Sequence, residues 1–148
     1  MENQTHKKTE EALAEIYRNS QLALQSIADI LPQVDDEEIK TELHAQLDEY
    51  ERFCAKASVI AKDKGIELKE PTVFKKMMMC GSIKMSTLTD NSRSHIADMM
   101  VQGTVMGIDA LRKTASELSV NGDEEIIALL DEMITQEEKF EKKWKEYL

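Results

Sequence analysis

Four long segments of this chain place apolar residues three and four positions apart, and that spacing constrains the fold more than any other feature. Residues so spaced share one face of an α-helix, and such a face has to be buried against another element. In the first segment Leu13, Ile16, Tyr17, Ser20, Leu24, Ile27 and Leu31 form the stripe. Pro32 ends it, because a proline ring cannot continue a helix interior. The second segment opens on Asp35 and Glu38, spaced as in a capping box, with Val34 and Ile39 placed as a hydrophobic staple. Its face runs Ile39, Leu43, Gln46, Leu47, Tyr50, Phe53, Cys54, Ala57, Ile60 and Ala61, and Gly65 stands where a left-handed C-terminal residue is expected. The third carries Ile96, Met99, Met100, Gly103, Met106, Gly107, Ala110, Leu111 and Leu118. After Asn121-Gly122, with Asn121 or Asp123 as cap, the fourth carries Ile126, Leu130, Met133, Glu137, Phe140, Trp144 and Tyr147.

Stripes of this kind imply an all-α four-helix bundle. The connections at about residues 32–34 and 119–122 are short, so each joins an antiparallel pair. The middle connection is long. Helix 2, of about 29 residues, spans about 44 Å. Residues 65–91 hold a short apolar helix within Val73 to Met85, about 22 Å long, and extended pieces of up to about 40 Å. That is enough to cross the whole bundle and leave helices 2 and 3 parallel. The hydroxyls and short amides of Ser86 to Ser92 compete for the backbone and favour a break or cap there. A single helix from 72 to 118 is the competing reading; at about 70 Å it would outrun a compact domain.

Composition narrows the function classes. The 148 residues suit one domain spanning 1–148, and five Gly with two Pro are too few for the turns of an all-β chain. Twenty-nine acidic against 19 basic residues give a net charge of −10, which argues against a nucleic-acid binder and against adsorption to an anionic membrane. No apolar run reaches the ~18 residues of a membrane span. The first residues, Met1 to Lys8, have no apolar region of the signal-peptide type. Cys54 and Cys80 lack metal-type spacing and suit reduced thiols. The expected setting is cytoplasmic.

The informative positions are those where a polar residue interrupts a stripe. Gln46 lies between Leu43 and Tyr50, Gln102 between Met99 and Met106, and Glu137 between Met133 and Phe140; Ser20 and Gln21 sit mid-way along helix 1. Burying a polar group is costly unless it is paired, so these side chains are expected to meet and hydrogen-bond.

With the crossover layout, the stretch Met99-Met100-Val101-Gln102-Gly103-Thr104-Val105-Met106-Gly107-Ile108 and the ending Gln136-Glu137-Glu138-Lys139-Phe140 before Lys145-Glu146-Tyr147-Leu148, the chain resembles a bacterial branch of the ferritin-like superfamily. On fold alone it is also similar, more distantly, to ferritin-like spore-coat proteins. The resemblance implies a di-metal site at mid-height, built from one Glu on each of two helices and Glu-x-x-His on each of the others. Residue by residue, this set is degenerate. Helix 2 has Gln46-Leu47-Asp48-Glu49 and helix 4 has Glu137-Glu138-Lys139-Phe140 where Glu-x-x-His belongs; helix 3 offers Gln102, and helix 1 offers Gln21 or Ser20. The ligand candidates are therefore Gln21, Gln46, Glu49, Gln102 and Glu137. Neutral amides are poor ligands for a hard, doubly charged metal pair, and both histidines are missing. No resident cofactor is expected.

His6, His44 and His95 are scattered and form no ligand pair. Met77, Met78, Met79 and Met85, with Cys80, read as pliable packing, as a partner or homodimer surface, or as a soft Cu(I) site. Phe140, Trp144 and Tyr147 read as aromatics that dock the last helix, or as a dimer face. Gly103 and Gly107 read as positions of close helix approach. No nucleophile elbow, P-loop or Rossmann fingerprint is present. The expected function is a non-enzymatic structural or protein-interaction bundle. The alternative is a metal-binding oxidoreductase or storage bundle with an atypical site, and a third reading is a small-ligand binder with a cavity at the polar layer.

Overall fold

Pro32 stops the first helix as the sequence requires. The computed structural model describes residues 2–69, 90–118 and 123–148, with side chains from His6 onward, and all of the regular structure there is helical. Helix α1 (Glu2–Ile30) passes through a 3-10 turn (Leu31–Gln33) into α2 (Glu37–Asp63); α3 (Arg93–Leu118) and α4 (Glu124–Lys145) follow. The short helix expected within Val73 to Met85, and with it Cys80, lies outside the described residues, as does the Asn121-Gly122 turn. A single helix from 72 to 118 is ruled out. Asp90, Asn91 and Ser92 are not helical, and Ser92 caps α3 through its Oγ, 3.4 Å from the His95 N–H.

The cap of α2 corrects the sequence reading by one residue. Asp36, not Asp35, is the N-cap, its Oδ1 accepting from the N–H groups of Glu38 (3.0 Å) and Ile39 (3.3 Å). Either aspartate could serve by local chemistry. The choice is tertiary: Arg93 of α3 donates to Asp36 at 2.7 and 3.0 Å, while Asp35 accepts from Asn91 at 3.3 Å. At the other end α2 closes as expected. Gly65 takes φ +69°, and the Ile66 N–H reaches back to the Ala61 carbonyl at 2.8 Å, a Schellman closure.

Interhelical contacts fix the directions. Along α2 and α4, Gln46 meets Trp144, Tyr50 meets Phe140, Lys56 meets Glu132 and Lys64 meets Asp123, so the two run antiparallel. The N-terminus of α3 lies beside that of α2 through Arg93 and Asp36. Helices α2 and α3 are therefore parallel. Lys64 and Asn91 sit at opposite ends of the bundle, about 40 Å apart along the length of α2.

The core is continuous across the four helices and includes Leu13, Ile16, Ile27, Leu43, Phe53, Ile96, Leu111, Ile126, Leu130 and Trp144. Full burial of one such side chain is worth ~1.5–3 kcal/mol, whereas an exposed ion pair is worth ~0–1 kcal/mol. The core holds the bundle together, and the pairs at its rim mark its register. Three stripes are buried largely as expected, but that of α3 is rotated. Its buried residues are Ile96, Ala97, Thr104, Ile108, Leu111 and Leu118, while Met106 is 69% exposed. Helix α3 carries two overlapping series at helical spacing, and the one with β-branched side chains faces inward. Among the described residues no helix is long and apolar enough to cross a membrane.

Candidate functional site

At mid-height the stripes of α2 and α4 bring two polar residues inward. Gln46 is fully buried. Its Oε1 accepts from the Trp144 indole N–H at 3.0 Å, and its Nε2 donates to Glu42 Oε1 at 2.9 Å. Tyr50, one turn on, stacks tilted against Phe140 with ring centroids 5.5 Å apart. Its hydroxyl donates to Glu137.

Glu137 is only 3% exposed. Burial pushes its carboxyl up to about 7, and the Tyr50 hydrogen bond offsets only part of that rise. Burial, followed by the nearby Glu137 charge, holds the Tyr50 phenol well above its ordinary range. At neutral pH Glu137 is thus poised between its acid and carboxylate forms, and Tyr50 is a fixed donor. Burial of this kind is one of the ways functional sites tune a carboxyl group.

The five ligand candidates do not converge. Gln46 and Glu137 point inward, each with its own partner. Glu49 is half-buried and holds Arg52 at 2.7 Å, and Arg52 in turn holds Glu132 at 2.7 Å on the α2–α4 rim. Gln102 is exposed and donates to Asp98 at 2.9 Å, on the far side of α3 from the core. Gln21 is half-buried on α1. Ser20, its neighbour, is buried with its Oγ turned onto the Ile16 carbonyl at 2.8 Å. Among the described residues no group of three His, Cys, Asp or Glu side chains is arranged to hold a metal ion. The donor set that the resemblance implies does not fit these residues: Gln46 is engaged at both its oxygen and its nitrogen, and Glu137 stands as a single carboxyl group.

The aromatic residues of α4 are core. Phe140 and Trp144 are buried and dock the helix; Tyr147 is half-buried and stacks under Arg93. Met77, Met78, Met79 and Met85 lie outside the described residues. Gly103 and Gly107 do not serve close approach. Among the described residues a Cβ at Gly103 would meet nothing within 4 Å, and one at Gly107 would meet Asn19 Oδ1 and Glu137 Oε2 at an ordinary 3.5 Å.

These glycines instead border a cavity of ≈ 250 Å³ between α1 and α3. Leu22, Ala23, Ile30, Met99 and Met100 supply apolar wall, and Glu137 and Tyr50 form its polar end. Sequence reasoning missed Tyr50 and Asn19 as site residues. Tyr50 had a usable signal: a phenol on a core stripe needs a hydrogen-bond partner. Asn19 had none, because an asparagine beside a stripe reads as surface. No family model, curated protein or solved structure matches the chain.

Proposed function

We propose that this chain is a non-enzymatic helical bundle with a structural or protein-interaction role, built on the ferritin-like arrangement without a complete di-metal carboxylate site. The antiparallel α2–α4 pair and the parallel α2–α3 pair support the ferritin-like part of this reading. The observation that carries the functional part is the polar layer itself. Its inward members are each held by a neighbour on a facing or adjacent turn, Gln46 by Trp144 and Glu42, and Glu137 by Tyr50. Bonds of this kind fix helix register, a role buried polar groups fill in other bundles. The other three ligand candidates, Gln21, Glu49 and Gln102, face outward or lie at the rim.

Metal analysis of protein purified with iron, manganese and copper available tests this reading against its alternative, a metal-binding oxidoreductase or storage bundle. The expected result is metal well below one equivalent, unchanged by Gln46→Ala or Glu137→Ala. Near-stoichiometric metal that is lost on either substitution would overturn it.

A further inference from the structure

The cavity between α1 and α3 has an unusual hydrogen-bond inventory. Its hydroxyl donors are spent within their own helices: Ser26 Oγ on the Leu22 carbonyl at 2.8 Å, and Thr104 Oγ1 on the Met100 carbonyl at 2.6 Å. The Asn19 amide nitrogen donates to the Glu15 carbonyl at 3.0 Å and to Glu15 Oε1 at 2.9 Å. Two acceptors fix which end of the amide is nitrogen, so its oxygen faces the other way, toward Gly107. The Tyr50 hydroxyl donates to Glu137. Acceptors are left. Asn19 Oδ1, Glu137 Oε2 and Glu137 Oε1 lie 3.5, 3.5 and 3.7 Å from the point a Cβ of residue 107 would occupy. Three acceptor oxygens, one pair of them from a carboxylate, thus converge beside a glycine at the end of an apolar cavity.

The geometry points to a binding site for a small primary amine with an apolar body. An ammonium group carries three donors and no acceptor, which is the complement of this set. Its charge matches a buried carboxylate for which burial, not a neighbouring cation, dominates the electrostatics. The remaining wall, Leu22, Ala23, Ile30, Met99 and Met100, takes the hydrocarbon part. The volume of ≈ 250 Å³ is below the ~300–1,000 Å³ usual for larger ligands, so the body is short, of the size of benzylamine or hexylamine. Gly107 is part of the site, because a longer side chain there would occupy the space beside the three oxygens. A neutral alcohol of the same shape would gain the apolar contacts but bring only one donor and no charge. A carboxylic acid would bring a second negative charge.

Titration of the full chain at pH 8 with benzylamine, hexylamine and the matching alcohols, followed by calorimetry and amide NMR, tests this. The amines are expected to bind at least tenfold more tightly than the alcohols and to shift the amide signals of residues near 19, 107 and 137. Glu137→Gln keeps the shape and the Tyr50 partner; it is expected to bring amine and alcohol to within about twofold of each other. Gly107→Leu is expected to abolish binding of both. If Gly107→Leu does not fold, Gly103→Leu, whose Cβ meets nothing within 4 Å among the described residues, fills the same cavity. Alcohol binding as tight as amine binding, an amine preference that survives Glu137→Gln, or no amine binding up to 10 mM would each overturn the proposal.

Discussion

Gln46 and Glu137 are both buried polar residues near the middle of the bundle, and their surroundings differ. On the α2–α4 side, Gln46 has both ends of its amide engaged and a fully buried tryptophan packed over it. On the α1–α3 side, Glu137 has one phenolic donor and then a cavity bordered by glycine. One side uses polar atoms to close the core. The other leaves acceptors facing open space. The difference rests on residue size: Trp144 and Phe140 fill the first interface, while Ala23, Gly103, Gly107 and Ala110 leave the second unfilled.

The largest expected effect would break the closed side. Trp144→Ala removes the largest buried side chain and leaves Gln46 Oε1 without its donor; the expected loss is ~3–5 kcal/mol of unfolding free energy in urea. A loss under ~1 kcal/mol, the range of surface changes, would mean that the two sides are packed alike.

Next is the pH dependence of the open side. Glu137 is raised from 4.5 to about 7 by burial, so the folded state binds more protons than the unfolded state between those values. Its contribution is full below pH 4.5 and falls as pH rises to about 7, by about 3 kcal/mol in all. Asp36, Asp123 and Glu132 act in the opposite sense. Arg93, Lys64 and Arg52 respectively hold them below the usual carboxylate range, so their stabilisation is lost as pH falls. The comparison with Glu137→Gln isolates the one effect. The variant is expected to be more stable than the parent at pH 8 and close to it at pH 4. Parallel stability curves across that range would show that Glu137 is well solvated.

Smaller still is Gly107→Ala. The added methyl meets Asn19 and Glu137 only at ordinary distance, and replacing a mid-helix glycine stabilises by ~0.5–1 kcal/mol. A lower melting temperature instead would show that the α1–α3 side is as tightly closed as its counterpart. The smallest effect belongs to the rim. Arg52→Ala breaks the pairs to Glu49 and Glu132 but is expected to cost under ~1 kcal/mol, because all three groups are partly exposed.

Much of the frame was legible in the sequence. Pro32 and Gly65 act through their own backbone geometry, and the stripe of α4 from Ile126 to Trp144 is buried as read. Local chemistry failed where two choices were nearly equal. Asp35 and Asp36 both suit a cap, and Arg93 from another helix decides between them. The α3 face failed for the same reason: two overlapping series satisfy the period, and the neighbours choose. Gln102 was misplaced with that face, and so the expected meeting of polar residues from four helices reduces to two separate groups, Gln46 with Trp144 and Glu42, and Glu137 with Tyr50.

What the sequence determined by itself is the set of helices with described ends and the burial of Gln46 and Glu137, because periodicity and backbone chemistry act over a few residues. Only the tertiary structure decided which partner each buried group has. Trp144 lies 98 positions from Gln46 and Asn19 lies 88 positions from Gly107. No local pattern encodes pairings over such separations. They follow from how four helices of unequal side-chain size settle against one another, tight where the residues are large and open where they are small.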